Sequence, residues 1–148
     1  MSDLIHLRAI TQSNYREIIK LRVAPEQENL VAPNLYTLAQ TQFKLEKTAL
    51  GIYLGEVPVG LIAYDLDDYD IWRLMIDQRY QRRGYGRQAM QRVIEILKAH
   101  GKLTKVRTSA IIAHNGPKSF YEKLKFRENG EKFEHKNGNI EVTLIYSL

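Results

Sequence analysis

Residues 70–100 read D-I-W-R-L-M-I-D-Q-R-Y-Q-R-R-G-Y-G-R-Q-A-M-Q-R-V-I-E-I-L-K-A-H. The opening stretch predicts a hydrophobic strand over 70–77. From Gly86 to about His100 the apolar residues Met90, Val93, Ile94 and Leu97 recur at helical spacing, with Gln91, Arg92, Glu95 and Lys98 between them, so an amphipathic helix is expected. The join, Y-Q-R-R-G-Y-G-R at 80–87, is a glycine loop feeding a helix N-terminus. Glycine at 84 and 86 lets the backbone approach an anion with no side chain in the way. The unpaired amides and macrodipole of a first helical turn favour negative charge, and Arg82, Arg83 and Arg87 add cations suited to phosphate oxygens. A pyrophosphate is the group this chemistry fits. Two glycines alone also suit an ordinary strand-to-helix turn with solvated arginines. Neither the G-K-[ST] of a Walker A loop nor a G-x-G-x-x-G on the first helix of the chain is present.

Outward from that segment, residues 4–9 alternate loosely and predict a strand. Thr11 opens a helix with Tyr15, Ile18, Ile19 and Arg22 on one face, stopped by Pro25. Pro33 suits the first turn of a second helix running to about Lys47. Strands over 49–54 and 57–64 flank the turn Gly55-Glu56, and an aspartate-rich run is the next turn. Beyond the main helix, 106–112 is a strand rich in β-branched residues and 117–124 a short helix. Strands over 129–134 and 140–146 form a hairpin around Asn137-Gly138. The order βααβββαβαββ predicts an α/β (α+β) chain, with a mixed, mostly antiparallel sheet, helices on both faces, and one domain over 1–148.

With 148 residues the chain is long enough to bury a core unaided, and 44% hydrophobic with 26% charged content is that of a soluble globular protein. The absence of cysteine excludes disulfides, thiolate metal sites and a cysteine nucleophile. Four histidines without H-x-x-x-H spacing predict no metal, and His6, His100 and His135 read as surface residues. The first residues lack the pattern of a signal peptide and no apolar run is long enough to span a bilayer, so no membrane partner and a cytoplasmic address are expected. The net charge of +5, from 22 Lys and Arg against 17 Asp and Glu, suits nucleic acid or a phosphate-rich small ligand. The arginines gather about the glycine loop, with Asp65, Asp67, Asp68 and Asp70 just before it. That distribution favours the small ligand, and no nucleic-acid partner is expected.

The Q-x-x-G-x-G of Gln81, Gly84 and Gly86, after Met75-Ile76-Asp77, and the later F-Y-E-K-L-K-F at 120–126 together resemble the signature of the GNAT family of N-acetyltransferases. The resemblance covers nearly the whole chain. It implies acetyl-coenzyme A as co-substrate, a splayed parallel strand pair that admits its pantetheine arm along Leu74, Met75 and Ile76, and an amide near Met75 or Ile76 as oxyanion donor. It implies that Gln81, Arg82, Arg83, Gly84, Tyr85, Gly86 and Arg87 hold the pyrophosphate. Tyr121 stands where the family carries an acid for the departing thiolate; packing in the core is its other reading. The family's coenzyme-A-binding asparagine falls at His114, with Asn115 one residue late. Lys125 replaces the glycine that ends the last helix, so an αL cap there is disfavoured or strained. A homodimer is implied as well.

The acceptor is then an amine, which arrives as an ammonium of pKa about 10.4 and must lose a proton. Glu26, Glu28 and Tyr36 fall in or beside the helix–helix loop that borders the acceptor pocket in this family. Such glutamates favour a polycation, and Glu28 is the candidate proton acceptor. The Y-D-L-D-D-Y-D run at 64–70 offers carboxylates and aromatic faces to a cation, or is a solvated turn. The segment Y-D-I-W-R-L-M-I-D-Q-R-Y-Q resembles the bacterial spermine/spermidine branch of the family, which implies a polyamine. The other readings are an aminoglycoside, a protein lysine or an N-terminus as acceptor, a coenzyme-A-binding sensor, and a basic nucleic-acid-binding domain.

Overall fold

The computed structural model of the chain describes residues 4–114 and 116–148. Strands β1 (His6–Ala9), β2 (Lys47–Leu54), β3 (Val57–Asp65) and β4 (Asp70–Ile76) are successive antiparallel neighbours. β5 (Lys105–Ile111) lies parallel to β4, and the hairpin of β6 (Arg127–Glu134) and β7 (Ile140–Ser147) closes the sheet in the order β1-β2-β3-β4-β5-β7-β6. The helices are α1 (Tyr15–Ile19), α2 (Asn34–Gln40), α3 (Tyr85–His100) and α4 (Lys118–Lys123). The expected element order and the mixed, mostly antiparallel sheet are both present.

The sheet is covered on both faces, which explains the nearly unbroken apolar run of β3. Its Ile62 and Tyr64 pack with Ala89, Met90, Val93 and Leu97 of α3, while Leu61 and Ala63 pack with Ile18 and Leu21 on the α1 side. β4 is divided likewise: Ile71, Leu74 and Ile76 belong to the α3 side, Trp72 and Met75 to the α1 side. Among the described residues no helix is long and apolar enough to cross a membrane.

Two helices are shorter than their sequences predict, and each has a tertiary cause. The first, expected from Thr11 to Pro25, is helical only over Tyr15–Ile19. The Arg22 N–H donates to Asp77 Oδ2 at 3.0 Å and the Arg22 carbonyl accepts from Gln78 N–H at 2.8 Å. Backbone groups that would extend the helix are committed to the β4–α3 loop. The second, expected to reach Lys47, stops at Gln40 and passes through a 3₁₀ turn, Thr41–Phe43. There the Thr41 hydroxyl bonds back to Leu38 O at 2.6 Å, and Lys47 pairs with Asp65 as the start of β2. Lys125 does take the disfavoured conformation, with φ 74°. Its N–H bonds to Glu122 O at 3.0 Å, and Phe126 N–H to Tyr121 O at 3.1 Å. This is the Schellman pair of bonds, with lysine where glycine is preferred.

Candidate active site

The parallel strands β4 and β5 share one ladder position, Asp70↔Arg107, joined by Arg107 N–H to Tyr69 O at 2.9 Å. The Ile71 carbonyl accepts from the buried Thr108 hydroxyl at 2.8 Å, and no further β4–β5 partners follow. The splayed pair is therefore real, with Thr108 at its apex. On the other side of β4 the register shifts between Ala63 and Tyr64, leaving Trp72 as the extra residue of a bulge. Asp77 N–H bonds to Val59 O at 2.8 Å. The alternation of an antiparallel ladder then turns the backbone of Met75 toward β3 and that of Ile76 and Leu74 into the gap. Of the two candidate oxyanion donors, the Ile76 N–H is the one that faces the gap. The Ile76 carbonyl is held by Gln81 Nε2 at 2.9 Å.

The gap opens into a cleft of about 1030 Å³ that also takes in the glycine loop, Tyr121, Arg73 and the segment from Gln27 to Pro33. At the loop, Gly84 caps α3 with φ 83°, and Arg82 is left-handed at φ 64°. The first intrahelical bond of α3 is Gln88 N–H to Gly84 O at 3.1 Å. The amides of Tyr85, Gly86 and Arg87 thus stand at an open N-terminus of a helix of 16 residues. A Cβ on Gly86 would meet the Phe120 ring at 3.4 Å, an ordinary van der Waals contact, so it is Gly84, with its positive φ, that the backbone requires. Arg82, Arg83 and Arg87 are exposed, and among the described residues none is in an ion pair. Gln81 and Tyr85 turn elsewhere. Gln81 Nε2 also donates to Gln27 Oε1 at 2.8 Å, tying the loop to the α1–α2 segment, and Tyr85 is buried in the main core.

Tyr121, on α4, is buried but lines the cleft, with Phe120 and Phe126 edge-on at 5.1 and 5.9 Å. Burial pushes its phenol up to about 12, against the pull of the Thr108 hydroxyl and with a push from the Asp70 charge. The phenol is therefore a proton donor at every physiological pH. Tyr121 thus packs its ring in the core, as one reading of the sequence has it, while also lining the cleft. Asp70 stands at the closed end of the gap. Burial pushes its carboxyl up to about 6, despite Arg107 at 3.5 Å.

On the acceptor side, the structure bears on the two readings of the aspartate run. The aspartate run forms a turn whose charges are already matched. Lys44 holds Asp65 at 2.7 Å and Asp67 at 3.7 Å, Lys102 holds Asp67 at 3.0 Å, and Arg107 holds Asp68 at 3.4 Å. Glu28 lies exposed on the rim of the cleft; Glu26 and Tyr36 do not line it. His114 is exposed in the turn after β5 and outside the lining, and Asn115 lies outside the described residues. Sequence reasoning missed two groups in the cleft. One is Arg73, a lone charge inside the apolar run I-W-R-L-M-I, which was the available signal. The other is His135, read as a surface residue, whose Nε2 lies 2.9 Å from Glu141 Oε2. Among the described residues no cluster of three or more His, Cys, Asp or Glu side chains could hold a metal ion.

Comparison with known proteins fits this geometry. A model of the acetyltransferase (GNAT) family matches residues 15–126. The spermine/spermidine N(1)-acetyltransferase of Bacillus subtilis (strain 168) is 26% identical over 137 residues, spanning 86% of this chain and 90% of its own. Among solved structures, an acetyltransferase from Thermus thermophilus superposes with TM-score 0.76 at 18% identity, covering 98% of this chain and 97% of that one. The spermidine N-acetyltransferase of Vibrio cholerae, in complex with CoA and spermine, does so with TM-score 0.74 at 16% identity, covering 99% and 96%. At these identities the structural likenesses establish the fold.

Proposed function

The chain belongs to the acetyltransferase (GNAT) family, and from that premise we propose that it transfers an acetyl group from acetyl-coenzyme A to the primary amine of a small molecule. The observation that carries this reading is the convergence in one cleft of the Ile76 N–H, the glycine loop with Arg82 and Arg87, and Tyr121. The thioester supplies the electrophilic carbonyl. Ile76 N–H is placed to donate to its oxygen as negative charge develops. The Tyr85, Gly86 and Arg87 amides, with Arg82, Arg83 and Arg87 side chains, suit the pyrophosphate; Gln81 acts by holding Ile76 and Gln27. The acceptor ammonium loses its proton to Glu28 or to water, and the free amine forms the C–N bond. As the C–S bond breaks, Tyr121 Oη–H gives its proton to sulfur, and the second N–H proton, shed as nitrogen becomes an amide, restores the Tyr121 hydroxyl.

A polyamine of the spermine/spermidine class is the acceptor that the Bacillus relative supports, with Glu28 on the rim to attract it. A second reading is an amine bearing its own carboxylate, and the observation favouring it is the unpaired Arg73 in the cleft. Release of free thiol from acetyl-CoA with spermine, spermidine, putrescine, an aminoglycoside, lysine and a lysine peptide tests both. Thiol release with at least one amine is expected. Release with none would overturn the transferase reading, and turnover on the peptide alone would overturn the small-molecule acceptor.

A further inference from the structure

The β4 wall of the cleft holds hydrogen-bond donors that lack acceptors. Arg73 is half-buried on β4, two residues from Met75 and so on the α1–α2 face of the sheet. Its Nη1 donates to Trp72 O at 2.8 Å and its Nη2 to Gln40 Oε1 at 3.1 Å, both neutral acceptors. Among the described residues no carboxylate lies within ion-pair distance of it. The acidic groups that influence it from farther off are the Tyr36 phenol, Glu141 and Asp70; the two carboxylates are engaged with Ser109 and His135 and with Arg107 respectively. Arg73 Nε and Trp72 Nε1 are buried without a partner. The guanidinium carbon is 5.2 Å from the Trp72 ring centroid, and Lys47 Nζ is 4.6 Å from the same ring. Guanidinium and indole N–H groups can only donate. A partly desolvated cation without a counter-ion is unfavourable, and burial lowers the Arg73 pKa from its ordinary value, as expected of a charge the site does not offset.

What is missing is an oxygen that brings negative charge. The coenzyme's pyrophosphate does not fit this need, because the glycine loop opens α3 on the opposite face and has three arginines of its own. We propose that Arg73, beside the Trp72 indole, is an acceptor-specificity site that binds a carboxylate carried by the amine substrate. Arg73 then orients the acid end of the acceptor while the amine end reaches the gap between β4 and β5, with Glu28 on the rim facing the ammonium. This inference rests on the acetyltransferase reading and selects the carboxylate-bearing acceptor over the polyamine.

Matched amines test it in the thiol-release assay. Lysine, lysinamide and cadaverine share a primary amine on the same chain, and lysine alone carries the carboxylate; ornithine and putrescine form a second pair. A charge-assisted bond of this kind is worth about 10- to 100-fold in kcat/KM, so lysine and ornithine should exceed their carboxylate-free twins by that factor. In Arg73→Met the advantage should collapse toward parity through a rise in KM for the carboxylate-bearing amine. Arg73→Lys should restore part of it, keeping the charge and losing the fork. Arg73→Gln, checked for an unchanged unfolding transition, serves if the Met variant does not fold. Wild type that prefers cadaverine, putrescine or spermidine overturns the inference while leaving the transferase intact. So does an Arg73 variant that lowers turnover of both twins equally. No thiol from any amine, with no stabilisation by acetyl-CoA, overturns the transferase reading itself.

Discussion

Lys125→Gly should stabilise the protein. Lys125 sits at φ 74°, and its N–H and that of Phe126 close the end of α4 onto Glu122 and Tyr121. A non-glycine residue held left-handed costs about 1–2 kcal/mol. Glycine removes that strain and gives back about 0.5–1 kcal/mol through the greater freedom of its unfolded chain. The net expectation is a gain of about 0.5–1 kcal/mol. For a chain of this size that raises Tm by about 1–4 °C, and the urea midpoint should rise with no change in m. Lys125→Ala is the control. Alanine has the same Cβ and the same strain, so it should bring little or no gain. Equal gains for alanine and glycine would trace the effect to the lysine charge and refute the strain argument; a loss with glycine would refute it outright.

Asp70 should make stability depend on pH. Its carboxyl binds a proton more tightly folded than unfolded, so its contribution is fully present below about pH 4 and is lost as pH rises through 6. A rise from 3.8 to about 6 corresponds to about 3 kcal/mol. Asp70→Asn should therefore gain on wild type by up to that amount between pH 4 and pH 7 in urea titrations; a constant difference across that range would remove the buried-carboxyl account. Tyr121→Phe should lower kcat about 100-fold or more with acetyl-CoA binding retained, and undiminished turnover would exclude Tyr121 as the acid. Gln27→Ala and Gln81→Ala break the same hydrogen bond, so their effects on kcat/KM should be less than additive in the double variant. Strict additivity would show that the bond does not couple the two loops.

The fold was legible wherever the signal was local. The strand, glycine loop and helix over 70–100 carry their own periodicity, and Asn137-Gly138 carries its own turn. The ends of α1 and α2 were not legible, because they are set by partners distant in sequence: Asp77 and Gln78 for Arg22, and β3 for Lys47. The aspartate run left two readings open for the same reason. Its meaning depends on Lys44, Lys102 and Arg107, which no local pattern places beside it. Within the site, the loop and Tyr121 could be located from motifs, but the aim of a backbone amide could not. Choosing Ile76 over Met75 required the β3–β4 register and the bond from Asp77 to Val59. Arg73 was visible as a charge in an apolar strand, yet its lack of a counter-ion is a property of the folded surroundings alone.

The central claim is that the loop from Gln81 to Arg87 holds the pyrophosphate of acetyl-coenzyme A, and thermal unfolding with and without acetyl-CoA tests it most directly. Binding to the native state alone stabilises by about 2.7 kcal/mol at about 100 times Kd, so Tm should rise by several degrees in wild type. Gly84→Leu places a side chain in open space at φ 83°, where the phosphate would lie, and should abolish that rise while the apo-protein still unfolds cooperatively. An unchanged wild-type Tm, or an equal rise in the Gly84 variant, would contradict the assignment.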